Sequence, residues 1–135
     1  MPDSVDSGRG EPFTAAYRLD QAKDDLIARA IDLVPAEDAQ GRALVRRYYR
    51  HVAAEDLVGR APVDLLGAVM SHREAALRRP QGTAVVRAFT PTRASHGWAS
   101  DHTVLEIITD DMPFLVDSVS ASLGQQGRGL HLVIH

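Results

Sequence analysis

The chain has 135 residues, of which 44% are hydrophobic, so it is long enough to bury the core of one ordinary domain. Its formal charge of −3 gives no reason to expect a nucleic-acid partner, and the absence of cysteine excludes disulfides, thiolate metal sites and thiol nucleophiles. The amino-terminal residues are polar and no apolar run approaches the roughly 20 residues of a membrane helix, so we expect a cytoplasmic protein that makes no membrane contact.

Residues 14–80 show helical periodicity and follow a polar lead-in, residues 1–13, which we expect to be disordered. Apolar residues recur at spacings of three and four between Leu19 and Val34, a pattern that is typical of an amphipathic helix. Pro35 ends this helix, because proline disfavours helical geometry in the residue before it.

Two further helices are predicted, over residues 37–54 and from Pro62 to about residue 79. The side chains that they are expected to bury are Ala43, Leu44, Tyr48, Tyr49, Val52, Val63, Leu66, Val69, Met70 and Leu77. The opposite face of the second helix carries Arg42, Arg46, Arg47 and Arg50. We interpret that basic face as solvated, with an acidic or phosphate partner as the alternative. Together the helices predict a small three-helix bundle.

Beyond residue 82 the hydrophobic period changes to two, which indicates strands. Strands are predicted over residues 83–90, 103–109 and 130–135, with a helix over residues 113–125. The first two strands are expected to pair as a long-looped hairpin. The last strand has no successor, and its backbone groups need further sheet, so we expect the chain to be the front part of something larger.

An acidic turn joins the second predicted strand to the helix that follows it. Asp110 and Asp111 lie there, with Pro113 in the first turn of the helix. Aspartate at such a place accepts from free helix N–H groups and complements the helix dipole, which is the favoured interpretation. The alternative is a ligand site, because the N–H groups suit a carboxylate and the aspartates suit an ammonium group. An amino acid carries both.

No catalytic, cofactor-binding or metal-binding residue is predicted. Asp111 and Asp117 point to different faces of the helix, so they do not form an acid–base pair, and Ser118 has no base near it. His131 and His135 share one face of a strand, but the pattern offers no further metal ligands. A dinucleotide fingerprint is also missing.

One string in this region resembles a known family. Asp110-Asp-Met-Pro-Phe-Leu-Val-Asp-Ser-Val, preceded by His102-Thr-Val and followed by Leu130-His-Leu-Val-Ile-His, is similar to the N-terminal region of the large bacterial NAD-specific glutamate dehydrogenases. The resemblance covers roughly residues 20–135 and includes Asp64-Leu-Leu-Gly and Trp98.

The resemblance implies an ACT-like domain, whose ferredoxin-like fold is β-α-β-β-α-β. The expected fold class is α+β, with the helical segment 14–80 followed by a partial ACT-like β-α-β unit in residues 81–135 that is truncated at a strand. Such a chain should expose a hydrophobic sheet face and self-associate on its own.

The family also implies a function for the parent enzyme, which oxidatively deaminates L-glutamate to 2-oxoglutarate and ammonia with NAD. Its catalytic machinery lies far downstream, so this chain would be a non-catalytic regulatory or assembly segment. The implied partners are the rest of the parent polypeptide, further copies in a homo-oligomer, and an amino-acid effector. The alternative is a free-standing ACT-like amino-acid-sensing or adaptor module.

ACT domains that bind amino acids commonly have Pro-Gly in this turn, whereas this chain has Pro113-Phe114. The phenyl group either fills the space of a ligand or is buried in an interdomain contact. The candidate turn, for effector binding or domain packing, comprises Asp110, Asp111, Met112, Pro113, Phe114, Asp117 and Ser118.

Overall fold

A computed structural model describes residues 11–135 of the chain. Its elements are, in order, α1 (Glu11–Asp32), α2 (Ala39–Tyr48), α3 (Ala54–Leu57), α4 (Pro62–Arg78), β1 (Val85–Phe89), α5 (Arg93–His96), β2 (Val104–Ile108) and α6 (Leu115–Gln125). Residues 1–10 of the predicted lead-in lie outside the described residues, and α1 begins at Glu11. Helices and one small antiparallel sheet make this an α+β chain.

One hydrophobic core lies between α1, α2, α3 and α4. Its buried members are Leu26, Ile27, Ala30, Ile31, Val34, Val45, Tyr49, Val52, Leu57, Leu65 and Val69. The α1 members follow the helical spacing read from the sequence, so the predicted buried face of this helix is confirmed from Leu26 onward, whereas Leu19 is exposed. Tyr49 also satisfies its hydroxyl inside the core by donating to the Leu65 carbonyl at 2.6 Å.

The predicted second helix is interrupted. It ends at Tyr48, and the single turn α3 starts only at Ala54. Lys23 of α1 holds the chain between them, because its Nζ donates to the Val52 carbonyl at 2.6 Å and to the Arg50 carbonyl at 3.3 Å. These carbonyls therefore find a tertiary partner in place of a continued helix.

The buried stripe of α4 differs from the predicted one. Leu65, Val69 and Ala75 are buried, whereas Leu77 is 77% exposed, so its predicted burial is wrong. This helix packs against α1 and α2 on one side and against β2 on another. The apolar residues of α4 therefore serve two contact faces. The elements that pack on these faces determine which of the residues are buried.

β1 and β2 pair antiparallel, which confirms the predicted hairpin. Arg87 lies directly opposite Glu106 in the register. The strand predicted over residues 130–135 is wrong: within the described chain those residues join no sheet. A strand requires a neighbour that supplies backbone partners, and here Leu132 and Ile134 pack against the helical core instead.

Trp98 fixes the link between the strands to α4. Its side chain is buried against Gly67, where an added Cβ would overlap the Trp98 Cβ and Cγ atoms. Asp64, one turn earlier, accepts from the Ala99 N–H at 2.9 Å and from Arg93 Nη2 at 3.0 Å. Glycine in mid-helix costs about 1 kcal/mol relative to alanine, so its presence here has a packing reason. None of the described helices is both long and apolar enough to cross a bilayer.

Asp38 joins the start of α2 to α4 through an ion pair and a hydrogen bond. Arg73 lies 2.7 Å from Asp38 Oδ2, and the Gly41 N–H donates to Asp38 Oδ1 at 2.9 Å. The hydrogen bond from Arg73, followed by that from Gly41, holds the pKa of Asp38 below its ordinary value of 3.8. The folded protein therefore binds this proton less readily than the unfolded chain does.

We expect Asp38→Asn to lower the free energy of unfolding at neutral pH, with a deficit that shrinks on acidification. The contribution of Asp38 is fully present above about pH 4 and is lost as the pH falls through the folded-state pKa. Urea unfolding of wild type and variant at pH 7, 5 and 3 checks this. A deficit that is independent of pH would contradict it.

Candidate functional site

The turn between β2 and α6 has a strained backbone at Phe114. This residue precedes the first helical residue, with φ 61° and ψ 18°, in the left-handed region. Among the described residues it is the one non-glycine with positive φ. A bulky residue in this region costs on the order of 1 kcal/mol, so the surrounding sequence and structure hold it there against a local preference.

The aspartates of the turn do not cap α6, so the favoured sequence interpretation is wrong. The helix begins at Leu115, two residues later than predicted, and Phe114 takes the cap position without a side-chain hydrogen bond. In the described part of the chain, neither Asp110 nor Asp111 accepts a hydrogen bond from the N–H groups at the start of α6. Asp117 lies in the first turn of α6, where its charge complements the positive end of the helix dipole.

Asp110 instead pairs with Arg79, the residue directly after α4. Arg79 Nη1 and Nη2 lie 3.0 and 3.1 Å from Asp110 Oδ1. Nη1 also donates to the Thr83 carbonyl at 2.6 Å, and the Arg79 side chain is only 18% exposed. This arrangement, the Arg79–Asp110 clamp, ties the turn to the end of α4.

The turn presents apolar side chains to solvent. Met112 is 50% exposed and Phe114 is 76% exposed. Asp117 and Ser118 are exposed at the start of α6, and the Ser118 N–H donates to the Phe114 carbonyl at 2.9 Å. The structure thus places the seven candidate residues along one exposed turn and helix start, with an apolar tip. Such a surface suits contact with another apolar surface better than it suits enclosure of a small ligand.

A second polar group, missed by the sequence analysis, lies between the sheet and α4. Glu106 is 4% exposed and accepts from Ser71 Oγ at 2.7 Å. Arg87 Nη2 lies 3.0 Å from Glu106 Oε2 as an ion pair, although Oε2 makes no aligned hydrogen bond. Arg87 also donates to Ser71 Oγ at 2.9 Å, and its guanidinium lies 5.0 Å from the centre of the Phe89 ring.

The charge of Glu106 also acts on α2. Burial, with a smaller effect from Glu106, raises the pKa of Tyr48 to about 12, and its hydroxyl lies 3.1 Å from His72 Nδ1. A glutamate in a short strand resembles a solvent-facing residue in sequence, so only its position opposite Arg87 could have signalled an ion pair. Ser71 and Arg87 already contact this carboxylate, so we interpret the group as structural.

A cavity of about 930 Å³ is lined by residues of α4, β2, α6 and the carboxy-terminal segment. Part of its wall comes from α6, through Leu115, Val116, Val119 and Leu123. This helix buries none of its residues, so it is held less firmly than the helices of the core.

The histidines were weighed as metal ligands in the sequence. Among residues 11–135 no group of three or more His, Cys, Asp or Glu side chains could hold a metal ion. His131 stacks on His102 with 3.9 Å between the ring centres.

Among known protein families, the model for the ACT1 domain of glutamate dehydrogenase matches residues 44–135 of this chain. An NAD-specific glutamate dehydrogenase of Pseudomonas aeruginosa is 31% identical over 119 residues, which cover 88% of this chain and 7% of that protein. The corresponding protein of Halomonas elongata is 37% identical over 86 residues, or 64% of this chain and 5% of its own length. The chain thus spans a small fraction of these relatives, and no solved structure matches it.

Proposed function

Because this chain belongs to the glutamate dehydrogenase ACT1 domain family, we propose that it is the N-terminal, non-catalytic segment of an NAD-dependent glutamate dehydrogenase, with a role in assembly or regulation. The parent enzyme would convert L-glutamate, NAD and water to 2-oxoglutarate, ammonia and NADH. NAD and glutamate would bind to other parts of the polypeptide, which would be a cytoplasmic homo-oligomer.

The observation that carries the proposal is the extent of the similarity. The chain aligns over 88% of its own length with a relative named NAD-specific glutamate dehydrogenase, yet accounts for 7% of that relative. A segment of this size would contribute a module to a much longer enzyme, and Asp64 and Gly67 attach the link that carries Trp98 to α4 within that module.

Of the two roles, the surface favours assembly. Met112 and Phe114 are exposed at the turn, and Val86 and Leu105 are 64% and 39% exposed on the sheet. Asp110 is already paired with Arg79, so one carboxylate of the supposed ligand site is occupied. Apolar surfaces of this kind are stabilised by contact with a neighbouring module.

The test compares the full-length polypeptide that carries this chain with the same polypeptide lacking residues 44–135. We expect glutamate-dependent NADH formation from the former, and an altered oligomeric mass or glutamate dependence in the latter. The chain of 135 residues alone should form no NADH. Both measurements, absorbance of NADH and light scattering, use purified protein.

A full-length polypeptide without glutamate-dependent activity would overturn the proposed parent enzyme. Unchanged mass and kinetics after the deletion would overturn the assembly or regulatory role. Calorimetric titration of glutamate, aspartate and arginine into the full-length polypeptide distinguishes a regulatory role from an assembly role. Saturable binding that is lost in Asp111→Ala assigns an effector site to the turn, and absence of heat leaves assembly.

A further inference from the structure

We propose that Phe114 is a docking side chain that inserts into an apolar pocket on the rest of the parent polypeptide. This inference rests on the proposed function, and it adds to it the contact point and the chemistry of the partner surface. Three independent features of the turn support it: the backbone conformation, the exposure of the ring, and the way the turn is anchored.

The choice of residue is unusual for the backbone. Four other described residues have positive φ, and they are Gly59, Gly82, Gly97 and Gly127. The chain therefore uses glycine at its other left-handed positions, whereas the turn before α6 uses phenylalanine. Glycine adopts this conformation without the steric cost, so the phenyl group must contribute something that glycine does not.

The contribution is not made within the described chain. The Phe114 side chain is 76% exposed, and the neighbouring Met112 is 50% exposed. The strained backbone and the exposed aromatic ring each carry a free-energy cost when the chain is on its own. Aromatic rings are also the side chains that most often dominate protein interfaces when they enter a pocket.

The turn is anchored in a way that suits docking. The Arg79–Asp110 clamp ties residue 110 to the end of α4, and α6 begins directly after Phe114. The ring is therefore presented from a turn that is anchored to α4 on its β2 side, which lowers the ordering cost of an interface. Arg79 is a positioning residue in this scheme.

The occupant of the contact is the remaining polypeptide. The relatives are far longer than this chain, which covers 7% and 5% of them, so most of the polypeptide lies outside the segment. The ring and the Met112 side chain carry no charge, so the partner surface must be an apolar pocket of aromatic width. Self-association of this chain is the competing occupant, and the experiment separates the two.

The experiment is hydrogen exchange of residues 110–118 in the full-length polypeptide and in the 135-residue chain. We expect strong protection in the former, by at least about tenfold in exchange rate, and its loss in Phe114→Gly. In the chain alone the same variant should leave the folding equilibrium constant unchanged or raise it, by up to about fivefold, because the strain is relieved.

Leu77→Ala is the matched control, because Leu77 is 77% exposed but lies in α4, an ordinary helix. It should leave the protection of the turn intact. Equal exchange in wild-type polypeptide and chain overturns the inference, as does a Leu77→Ala effect as large as that of Phe114→Gly. Protection that appears in the chain alone and grows with its concentration assigns the contact to a second copy and also overturns it.

The exchange measurement is independent of catalysis. Protection in a polypeptide that lacks glutamate-dependent activity leaves the docking role standing while the proposed function fails. Glutamate-dependent activity without protection of residues 110–118 leaves the proposed function standing while the docking role fails.

Discussion

Gly67→Ala should lower the free energy of unfolding by about 3 kcal/mol, the largest effect that we expect from a single methyl group in this chain. The added Cβ would overlap Cβ and Cγ of Trp98, which are the base of a buried ring and cannot move aside by a rotamer change alone. Trp98 must leave its place on α4, and the link held by Asp64 would be pulled with it.

Fluorescence makes the measurement direct, because Trp98 is the single tryptophan of the chain. The emission of the folded variant should shift to the red, and the melting temperature should fall by roughly 10 °C. Gly124→Ala is the matched control, since Gly124 lies in α6 with open space around its Cβ position. It should be neutral or stabilising by up to about 1 kcal/mol. An unshifted Trp98 emission in Gly67→Ala would contradict the packing described.

Arg87→Met is expected to cost about 2 kcal/mol, because it leaves the buried carboxylate of Glu106 without its cation. Complete loss of a buried partner costs more, but Arg87 is itself partly exposed and the Ser71 hydroxyl still donates to Glu106. Methionine keeps most of the apolar stem of Arg87, so the loss reports mainly the guanidinium charge and its hydrogen bond to Ser71.

A double-mutant cycle isolates this ion pair. In the background Glu106→Gln, where no buried charge needs a cation, Arg87→Met should cost little, which gives a coupling of about 1–2 kcal/mol. Chemical denaturation of the four proteins at neutral pH provides the numbers. Equal costs of Arg87→Met in both backgrounds would show that Glu106 does not depend on Arg87.

Local patterns predicted the parts of this fold that local sequence determines. The buried face of α1 follows from its own spacing, and the pairing of β1 with β2 follows from two short apolar strands with a link between them. The α+β class and the family resemblance rest on the same strings, above all the one from Asp110 to Val119.

The errors concern features that neighbours decide. Leu77 is exposed because α1, α2 and β2 pack against other positions of α4. Residues 130–135 form no strand because no described strand pairs with them. The place where α2 ends depends on Lys23, which comes from another helix. None of these partners can be read from spacing along the chain.

The candidate site divides in the same way. Sequence singled out the turn from Asp110 to Phe114, because two aspartates lie between a predicted strand and a predicted helix and because the string resembles a known family. It did not yield the pairing of Asp110 with Arg79, the left-handed conformation of Phe114 or the burial of Glu106. Each of these is a property of a folded surface.

Lys23 has a consequence for labelling chemistry. It is the one lysine of the chain, so an acylating reagent finds two amines, the chain's α-amino group and an Nζ that donates to two backbone carbonyls. The rate at which Lys23 is acylated would then report how often the segment between α2 and α3 separates from α1. The absence of cysteine allows a second labelling reaction, because one cysteine introduced on the surface would carry a thiol-reactive probe at a single known position.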